Sequence, residues 1–276
     1  MRKKRAIPIV FLCLLLFFPA IAKAEKFSLK LSGGMNYLLM GDINKGIKGI
    51  SDEWSGMVAS RGGYAQGEVK PLHLSYDLEG TVIINLTPQI GMGLGIGYIQ
   101  GDRTSEIIFS GSVEGSLTND LEIKAIPFRL GVFYTLPIKE RINVVFNAGL
   151  AMYLAQCDYE RRPVTNLMGP MAARLESSSE GLGFHGGVGL EFKIASNCSF
   201  IFEGQGRYAK IGGFEGTHTE FFPSFEGTLY YYEETTATGT YPMINICKSK
   251  PNFPNSREAK VDFSSITFLA GIKIKL

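Results

Sequence analysis

The sequence predicts an all-β protein, an eight-stranded antiparallel up-and-down transmembrane β-barrel. Eight segments alternate apolar residues with polar residues or glycine, which is typical of strands that have one apolar face. Short and long connections alternate between these segments, as they do in barrels with short periplasmic turns and long extracellular loops. Because the opposite face of each segment is charged or lacks side chains, we expect the apolar face to contact lipid.

The eight expected strands follow one another along the chain. They cover residues 27–39, 72–86, 90–98, 126–134, 144–154, 182–192, 200–208 and 266–276. Short turns are expected at 87–89, 136–141 and 195–197, and long polar loops at 40–71, 101–121, 158–180 and 211–261. An even number of strands places both ends of the barrel in the periplasm.

The alternative to a membrane barrel is a soluble sandwich or a lipocalin-like barrel, which also alternates. Aromatic residues on the apolar face favour the membrane barrel, because they concentrate at both strand ends, as at the two membrane interfaces. Those at the long-loop ends are Tyr37, Tyr76, Tyr98 and Tyr208, and those at the short-turn ends are Tyr134, Phe192 and Phe200.

The first 24 residues have the layout of a secretory signal peptide. Four bases precede an apolar run over 7–22, which is shorter than the roughly 20 residues of a spanning helix, and Ala22-Lys23-Ala24 forms the expected cleavage site. Cleavage leaves residues 25–276 as a single barrel domain. It also removes five of the bases and no acid, so the formal charge changes from +2 to −3 and nothing indicates a nucleic-acid partner.

Two further motifs carry a family resemblance. Phe268–Leu276, FLAGIKIKL, resembles the closing strand of bacterial outer-membrane barrels, and Pro127–Ile138, PFRLGVFYTLPI, is similar to a mid-barrel hairpin strand. The whole layout resembles the small eight-stranded outer-membrane barrels, the group of the OmpA transmembrane domain, OmpX and OmpW. The resemblance implies outer-membrane location, contact with outer-membrane lipids and recognition of the C-terminal strand by the barrel-insertion machinery. It leaves open a role as pore, adhesin, anchor or lipid-modifying enzyme.

The polar face predicts the contents of the lumen. Its charges are nearly balanced, which favours a paired network that closes a narrow barrel: Lys30, Asp77, Glu79, Arg129, Glu191, Lys193, Glu203, Arg207 and Lys273. Four glycines also face inward, Gly91, Gly93, Gly95 and Gly97. They are not a dinucleotide loop, because no helical pattern follows them. Either neighbouring side chains fill their space or they leave a narrow passive pore for small or hydrophobic solutes.

The sequence offers little support for catalysis. His73 and Ser75 resemble the His-x-Ser pair of lipid A deacylase barrels, but here the pair is early in the chain and is expected to face inward. We interpret both as polar lumen or rim residues and assign no catalytic residue, metal ligand or cofactor. His185 and His218 have no partners at metal-ligand spacing.

The long loops are the better candidates for function. Exposed aromatics often anchor binding surfaces, and the loops contain Trp54, Phe221, Phe222, Phe225, Tyr230, Tyr231 and Tyr232. These could contact an extracellular ligand, as in an adhesin or receptor, or form a hairpin that extends the barrel. A disulfide between Cys157 and Cys247 is compatible with their expected positions. The sequence therefore favours a structural or surface-interaction role, with a narrow pore as the alternative.

Overall fold

The computed structural model describes residues 26–167, 169, 171–220 and 224–276. The expected signal peptide lies outside them and stays a prediction. The described part contains one helix, α1 (Asp42–Ser60). Its strands are β1 (Lys26–Leu38), β2 (Gly63–Gln66), β3 (Leu74–Asn85), β4 (Ile90–Gly111), β5 (Gly115–Lys139), β6 (Ile142–Thr165), β7 (Ala173–Lys193), β8 (Cys198–Tyr208), β9 (Lys210–Ile211), β10 (Glu215–Thr219), β11 (Phe225–Thr236), β12 (Gly239–Cys247), β13 (Arg257–Glu258), β14 (Val261–Asp262) and β15 (Ser265–Lys275).

Eight of these strands close into a barrel, which confirms the expected fold class. The order around the ring is β1, β3, β4, β5, β6, β7, β8 and β15, and every neighbouring pair is antiparallel. The ring is closed because β7 pairs with β8 and β15 pairs with β1. Closure leaves no unpaired strand edge at the level of the membrane.

The part of the barrel nearest the chain termini has an apolar outer surface. Leu78, Leu182 and Phe268 are each more than 60% exposed there, although they are large and hydrophobic. Such a surface is stable only against lipid. We call this part the lower half, and on β4, β5 and β6 its upper limit is marked by Tyr98, Ile126 and Leu154.

Above this limit β4–β7 continue as strands, so the expected long loops at 101–121 and 158–180 were wrong. In this upper half apolar and polar residues still alternate, but the apolar residues face inward and the polar residues face outward. On β5, for example, Ile123 is buried inside and Glu122 faces out, whereas below the limit Ile126 faces out. The reversal has a physical cause: outside the upper half there is water in place of lipid, so apolar side chains are more stable inside.

The helix α1 lies in the segment expected to be a polar loop, which is a second correction. Ile43, Ile47 and Ile50 recur at helical spacing and are buried in the core of the upper half. Another side of α1 packs so closely on β12 that a Cβ at Gly49 would overlap the carbonyl of Pro242. No helix in the described residues is both long and apolar enough to cross a bilayer.

The last expected loop, 211–261, is also folded. Within it β10 pairs with the upper part of β7, and the hairpin β11–β12 pairs with β10. Leu229, Ile244 and Ile246 of this hairpin join the helix and the barrel wall in one apolar core. Most of the segment therefore fills and closes the upper half.

Candidate functional site

The lower half encloses a network of ion pairs. Lys30 lies between two carboxylates, because its Nζ is 2.5 Å from Glu203 Oε2 and 2.9 Å from Glu79 Oε1. The same Glu79 also pairs with Arg129. All four side chains are almost completely buried, so each charge depends on its partners for stabilisation.

A third carboxylate, Asp77, continues the network. It pairs with Arg207, and its Oδ2 is 3.6 Å from Nη2 of Arg129. The Asp77 and Arg207 side chains are completely shielded from solvent. The six charged residues of this network come from four strands, β1, β3, β5 and β8, and each lies on the polar face of its own strand. A period-two pattern could therefore identify them.

Closer to the chain termini, a smaller cluster contains two more of the predicted residues. Lys273 Nζ lies 3.0 Å from Glu191 Oε2, and Ser199 donates a hydrogen bond of 2.9 Å to the other carboxylate oxygen. Lys193 does not join either cluster, contrary to the prediction. It is the last residue of β7, so its Nζ reaches out to the carbonyl of Glu140 in the neighbouring turn.

The four lumen glycines are packed against neighbours. A Cβ at Gly93 would collide with the ring of Phe133, and one at Gly95 would lie 2.7 Å from Thr81 Oγ1. At Gly97 the nearest groups are Pro127 and the guanidinium of Arg129, at 3.0 and 3.2 Å. The sequence left open whether neighbouring side chains fill the space beside these glycines or leave a narrow pore. In the structure, neighbouring side chains fill it.

Several residues of the network were not among the predicted site residues. Asn147 and Gln205 each donate a 2.8 Å hydrogen bond to Glu203 Oε1, and Ser32 donates one to Glu79. Their position on the polar face of their strands was a usable signal, but uncharged residues were left out of the predicted set. His185 lies beside the network and lines a cavity of about 10 Å³, roughly the space of one water molecule.

The upper half has an apolar interior directly above these charges. Tyr153 is completely buried at the boundary and stacks on Phe263, with ring centroids 6.3 Å apart. Concavities of 400 to 680 Å³ do occur, but they lie on the outer apolar surface of the lower half, where Leu78, Ile96 and Phe268 line them.

A charged cluster that the sequence did not predict is found in the upper half. Arg161 donates a 2.7 Å hydrogen bond to Glu220, and His218 Nε2 is 3.5 Å from the other oxygen of that carboxylate. The nearby His218 side chain, with a further contribution from Arg161, lowers the pKa of Glu220 to about 2. These residues were missed because they lie in segments expected to be irregular loops.

The predicted loop aromatics are mostly inside the protein. Of the two interpretations left open by the sequence, an exposed binding surface or a hairpin that extends the barrel, the structure has the hairpin β11–β12. Trp54 lies on α1 and stacks on Phe109, and Tyr231 and Tyr232 are buried in the upper core. Phe225 and Tyr230 are half-buried against the same core. The apolar interior takes these rings because the upper wall encloses the segment that carries them. Phe221 and Phe222 lie outside the described residues.

The disulfide that the sequence left possible is absent, since Cys157 and Cys247 are both free thiols. Cys157 points into the upper core, whereas Cys247 ends β12 opposite Thr228. Cys157 is fully buried, and this burial raises the pKa of its thiol to about 12.

His73 and Ser75 are not brought together as a catalytic pair would be. Ser75 is buried and accepts a hydrogen bond from Asn36, but His73 precedes β3 and stacks on the exposed ring of Tyr37. The strand begins at Leu74, so His73 is outside its alternation. Among the described residues, no group of three or more His, Cys, Asp and Glu side chains is arranged to hold a metal ion.

A closed antiparallel barrel with an apolar outer belt and buried interior charges defines an integral outer-membrane barrel. The family described as outer membrane protein beta-barrel domain matches residues 9–221, and this chain belongs to that family. Outer-membrane location follows from this membership. No curated protein sequence is significantly similar to the chain.

Solved structures of similar proteins have low sequence identity. The chain is similar to OprG from Pseudomonas aeruginosa, with 12% identity, a TM-score of 0.41 and coverage of 92% of this chain and 97% of that one. It is also similar to the outer membrane protease OmpT from Escherichia coli, with 11% identity, a TM-score of 0.37 and coverage of 92% of this chain and 97% of that one. A third similar structure is Ail, the attachment invasion locus protein of Yersinia pestis, with 9% identity, a TM-score of 0.33 and coverage of 91% of this chain and 99% of that one.

Proposed function

We propose that this protein is a sealed outer-membrane barrel that anchors a rigid extracellular interaction surface. The observation that carries the proposal is the filled interior: ion pairs occupy the lower half and an apolar core occupies the upper half. The role is structural or receptor-like, and its contacts are made by the outside of the upper half.

The lower half supports a closed state because its charges are mutually paired. Removing one partner would leave an uncompensated buried charge, which costs about 3–5 kcal/mol. The same cost opposes any fluctuation that separates Lys30 from Glu203 or Arg129 from Glu79. A water-filled path through this layer would require several such pairs to break together.

The upper half supports the same conclusion by a different mechanism. A solute entering from outside would have to displace buried residues of α1 and of the β11–β12 hairpin, such as Ile47, Tyr231 and Ile244. These side chains are stabilised by the apolar surface that they bury. The narrow-pore alternative therefore has an obstacle in each half.

The outer surface of the upper half remains available for contacts. Near its tip, Tyr64, Ile108 and Val164 are each about half exposed to water. Ile108 and Val164 share one cross-strand row, since both pair with Ser116. Exposed apolar residues among charged ones are typical of the central contacts of protein interfaces.

Single-channel conductance in planar bilayers tests the sealed interior. We expect the purified wild-type protein to give no stable current steps. The double variant Glu79→Ala/Arg129→Ala, which removes bulk and charge from the lower half only, should also stay silent, because the apolar core of the upper half still closes the path. The matched control is Glu114→Ala, at the exposed tip between β4 and β5. Discrete steps from the wild type and the control alike would refute the proposal.

A further inference from the structure

The outer face of the upper half carries a row of carboxylates in direct cross-strand register. Asp102 is opposite Glu122, Glu122 is opposite Asp158, and Asp158 is opposite Glu176, across the four neighbouring strands β4–β7. Like charges placed directly opposite each other destabilise a sheet. A wall that retains four in succession departs from local stability rules, and such departures are common at functional surfaces.

The bases around this row neutralise only part of it, because Lys124 pairs with Glu122 and Arg174 pairs with Glu176. The acids on the outer face of β4–β7 are Asp102, Glu106, Asp120, Glu122, Asp158, Glu160, Glu176 and Glu180, and the bases that pair with some of them are Lys124, Arg162 and Arg174. Partial burial, together with the carboxylates of Glu176 and Glu122, raises the pKa of Asp158. We call Asp102, Glu122, Asp158, Glu176 and Glu180 the acidic face.

The other side of the upper half exposes positive charge. Lys45 on α1, Lys210 on β9 and Lys260 before β14 are all exposed, and we call them the basic face. The charges around them are largely paired or buried. Arg257 donates to the buried Asp42, Lys48 pairs with Asp52, and Asp262, 3.9 Å from Lys210, is buried, which leaves Glu258 as an exposed acid nearby.

The two faces lie on opposite sides of the barrel at the level just above the lipid belt. The acidic face lies on β4–β7, and the basic face lies above β8, β15 and β1, which occupy the other side of the eight-stranded ring. Glu180 is two residues above the apolar Leu182, and Lys210 is two residues above Tyr208. The membrane holds every copy in the same orientation, so the acidic face of one copy is level with the basic face of its neighbour.

We propose that the acidic face docks against the basic face of a second copy of this chain. The contact is heterologous, because two different surfaces meet, so it generates rows or rings of barrels in the membrane plane. Exposed ion pairs are individually weak and are screened by salt. Confinement and common orientation in the bilayer reduce the entropy that association would otherwise cost. This inference gives the proposed surface role a partner and rests on that role.

Charge reversal on each face tests the contact. The measurement is energy transfer between labelled copies in lipid vesicles. The first variant is Glu122→Lys/Asp158→Lys/Glu176→Lys and the second is Lys210→Glu/Lys260→Glu. We expect wild-type transfer above random proximity at low salt and a decrease to random proximity at high salt. Each variant alone should remain at the random level, because its two faces then have the same sign. An equal mixture of the two variants should restore transfer, because reversed faces complement each other.

Heat-modifiable migration on gels checks that each variant folds, and Glu114→Lys, outside both faces, is the matched control that should retain wild-type transfer. Random-level transfer for the wild type at low salt would overturn the contact between copies. Undiminished transfer in both reversed variants would overturn it as well. Neither result affects a surface role with a different partner, and only the conductance measurement decides whether the interior is sealed.

Discussion

The lower and upper halves of this barrel share the same alternating strands, but the apolar residues face outward in the lower half and inward in the upper half. Below Tyr98 and Leu154, apolar side chains face out to lipid and charged ones such as Glu79 face in. Above them, charged side chains such as Glu122 face out to water and apolar ones such as Ile123 face in. The comparison shows that the solvent outside the wall decides which face of a strand becomes core.

The two halves also differ in how their interiors are stabilised. Lower-half residues depend on specific partners, since a buried charge without its counterion is expensive. Upper-half residues depend on burial and close packing, which are less directional. The substitutions that follow separate these mechanisms, beginning with the largest expected effect.

Glu79→Ala should have the largest effect on stability. It leaves Lys30 and Arg129 in the lower interior with fewer counterions, and we expect a loss of about 3–5 kcal/mol in the free energy of unfolding. Urea unfolding of the protein refolded in lipid vesicles measures this loss. Glu114→Ala, on an exposed tip, should unfold like the wild type, and equal midpoints for both variants would contradict the ion-pair account.

Ile123→Ala tests the apolar upper interior. Ile123 is completely buried, so the substitution should cost about 2–5 kcal/mol through lost burial and a residual cavity. The matched control is Ile108→Ala, which removes the same atoms from the water-exposed side of the neighbouring strand. We expect its effect to lie within about 0.5 kcal/mol of zero. Similar losses from both substitutions would show that the upper half has no packed core.

Gly93→Ala tests the packing of the lower half independently of charge. The new methyl group would collide with Phe133, and overpacking of this kind typically costs about 1–3 kcal/mol. Adding Phe133→Ala makes room, so the double variant should lose less than the sum of the single losses, as a double-mutant cycle would measure.

The control for this cycle is Gly204→Ala, because a Cβ at Gly204 meets no atom within 4 Å. We expect it to be neutral on the same unfolding curve. Full additivity of the Gly93 and Phe133 effects would mean that the space beside Gly93 is empty.

The smallest expected effect is the pH dependence of the Glu220 cluster. The pKa of this carboxyl is about 2 in the folded protein, below its ordinary value of 4.5, so its ionised form stabilises the fold. This contribution is complete above about pH 4.5 and is lost as the pH falls towards 2. The stability difference between wild type and Glu220→Gln, measured by unfolding across that range, should disappear at the acid end. A stability difference that does not change with pH would contradict a stabilising role for the ionised Glu220 carboxylate.

Much of the lower half could be predicted from the sequence. Period-two alternation in one phase gave the eight strands, and charge on the polar face gave Lys30, Asp77, Glu79, Arg129, Glu203 and Arg207. A strand pattern specifies which residues share a face, and the lipid specifies which face is outside. It does not specify that Lys30 lies between Glu79 and Glu203, because that arrangement depends on registers across strands far apart in the chain.

The upper half was predicted poorly because its pattern was interpreted as if its apolar residues also faced lipid, as they do in the lower half. The alternation on β5 continues from Ile126 to Ile123 with a change of phase, and polar outward residues there looked like loops. The spacing of Ile43, Ile47 and Ile50 indicated a helix, but only the enclosing wall explains why this helix is buried.

By itself the sequence determined the alternating strands, the polar and apolar faces, and hence a membrane barrel, because these follow from local periodicity and from the solvent on each side. The tertiary structure alone decided that Phe133 fills the space beside Gly93, that Tyr231 and Tyr232 lie inside, and that Cys157 and Cys247 stay apart. These outcomes depend on which residues meet across the barrel, and contacts of that kind are set by the closure and register of the whole sheet.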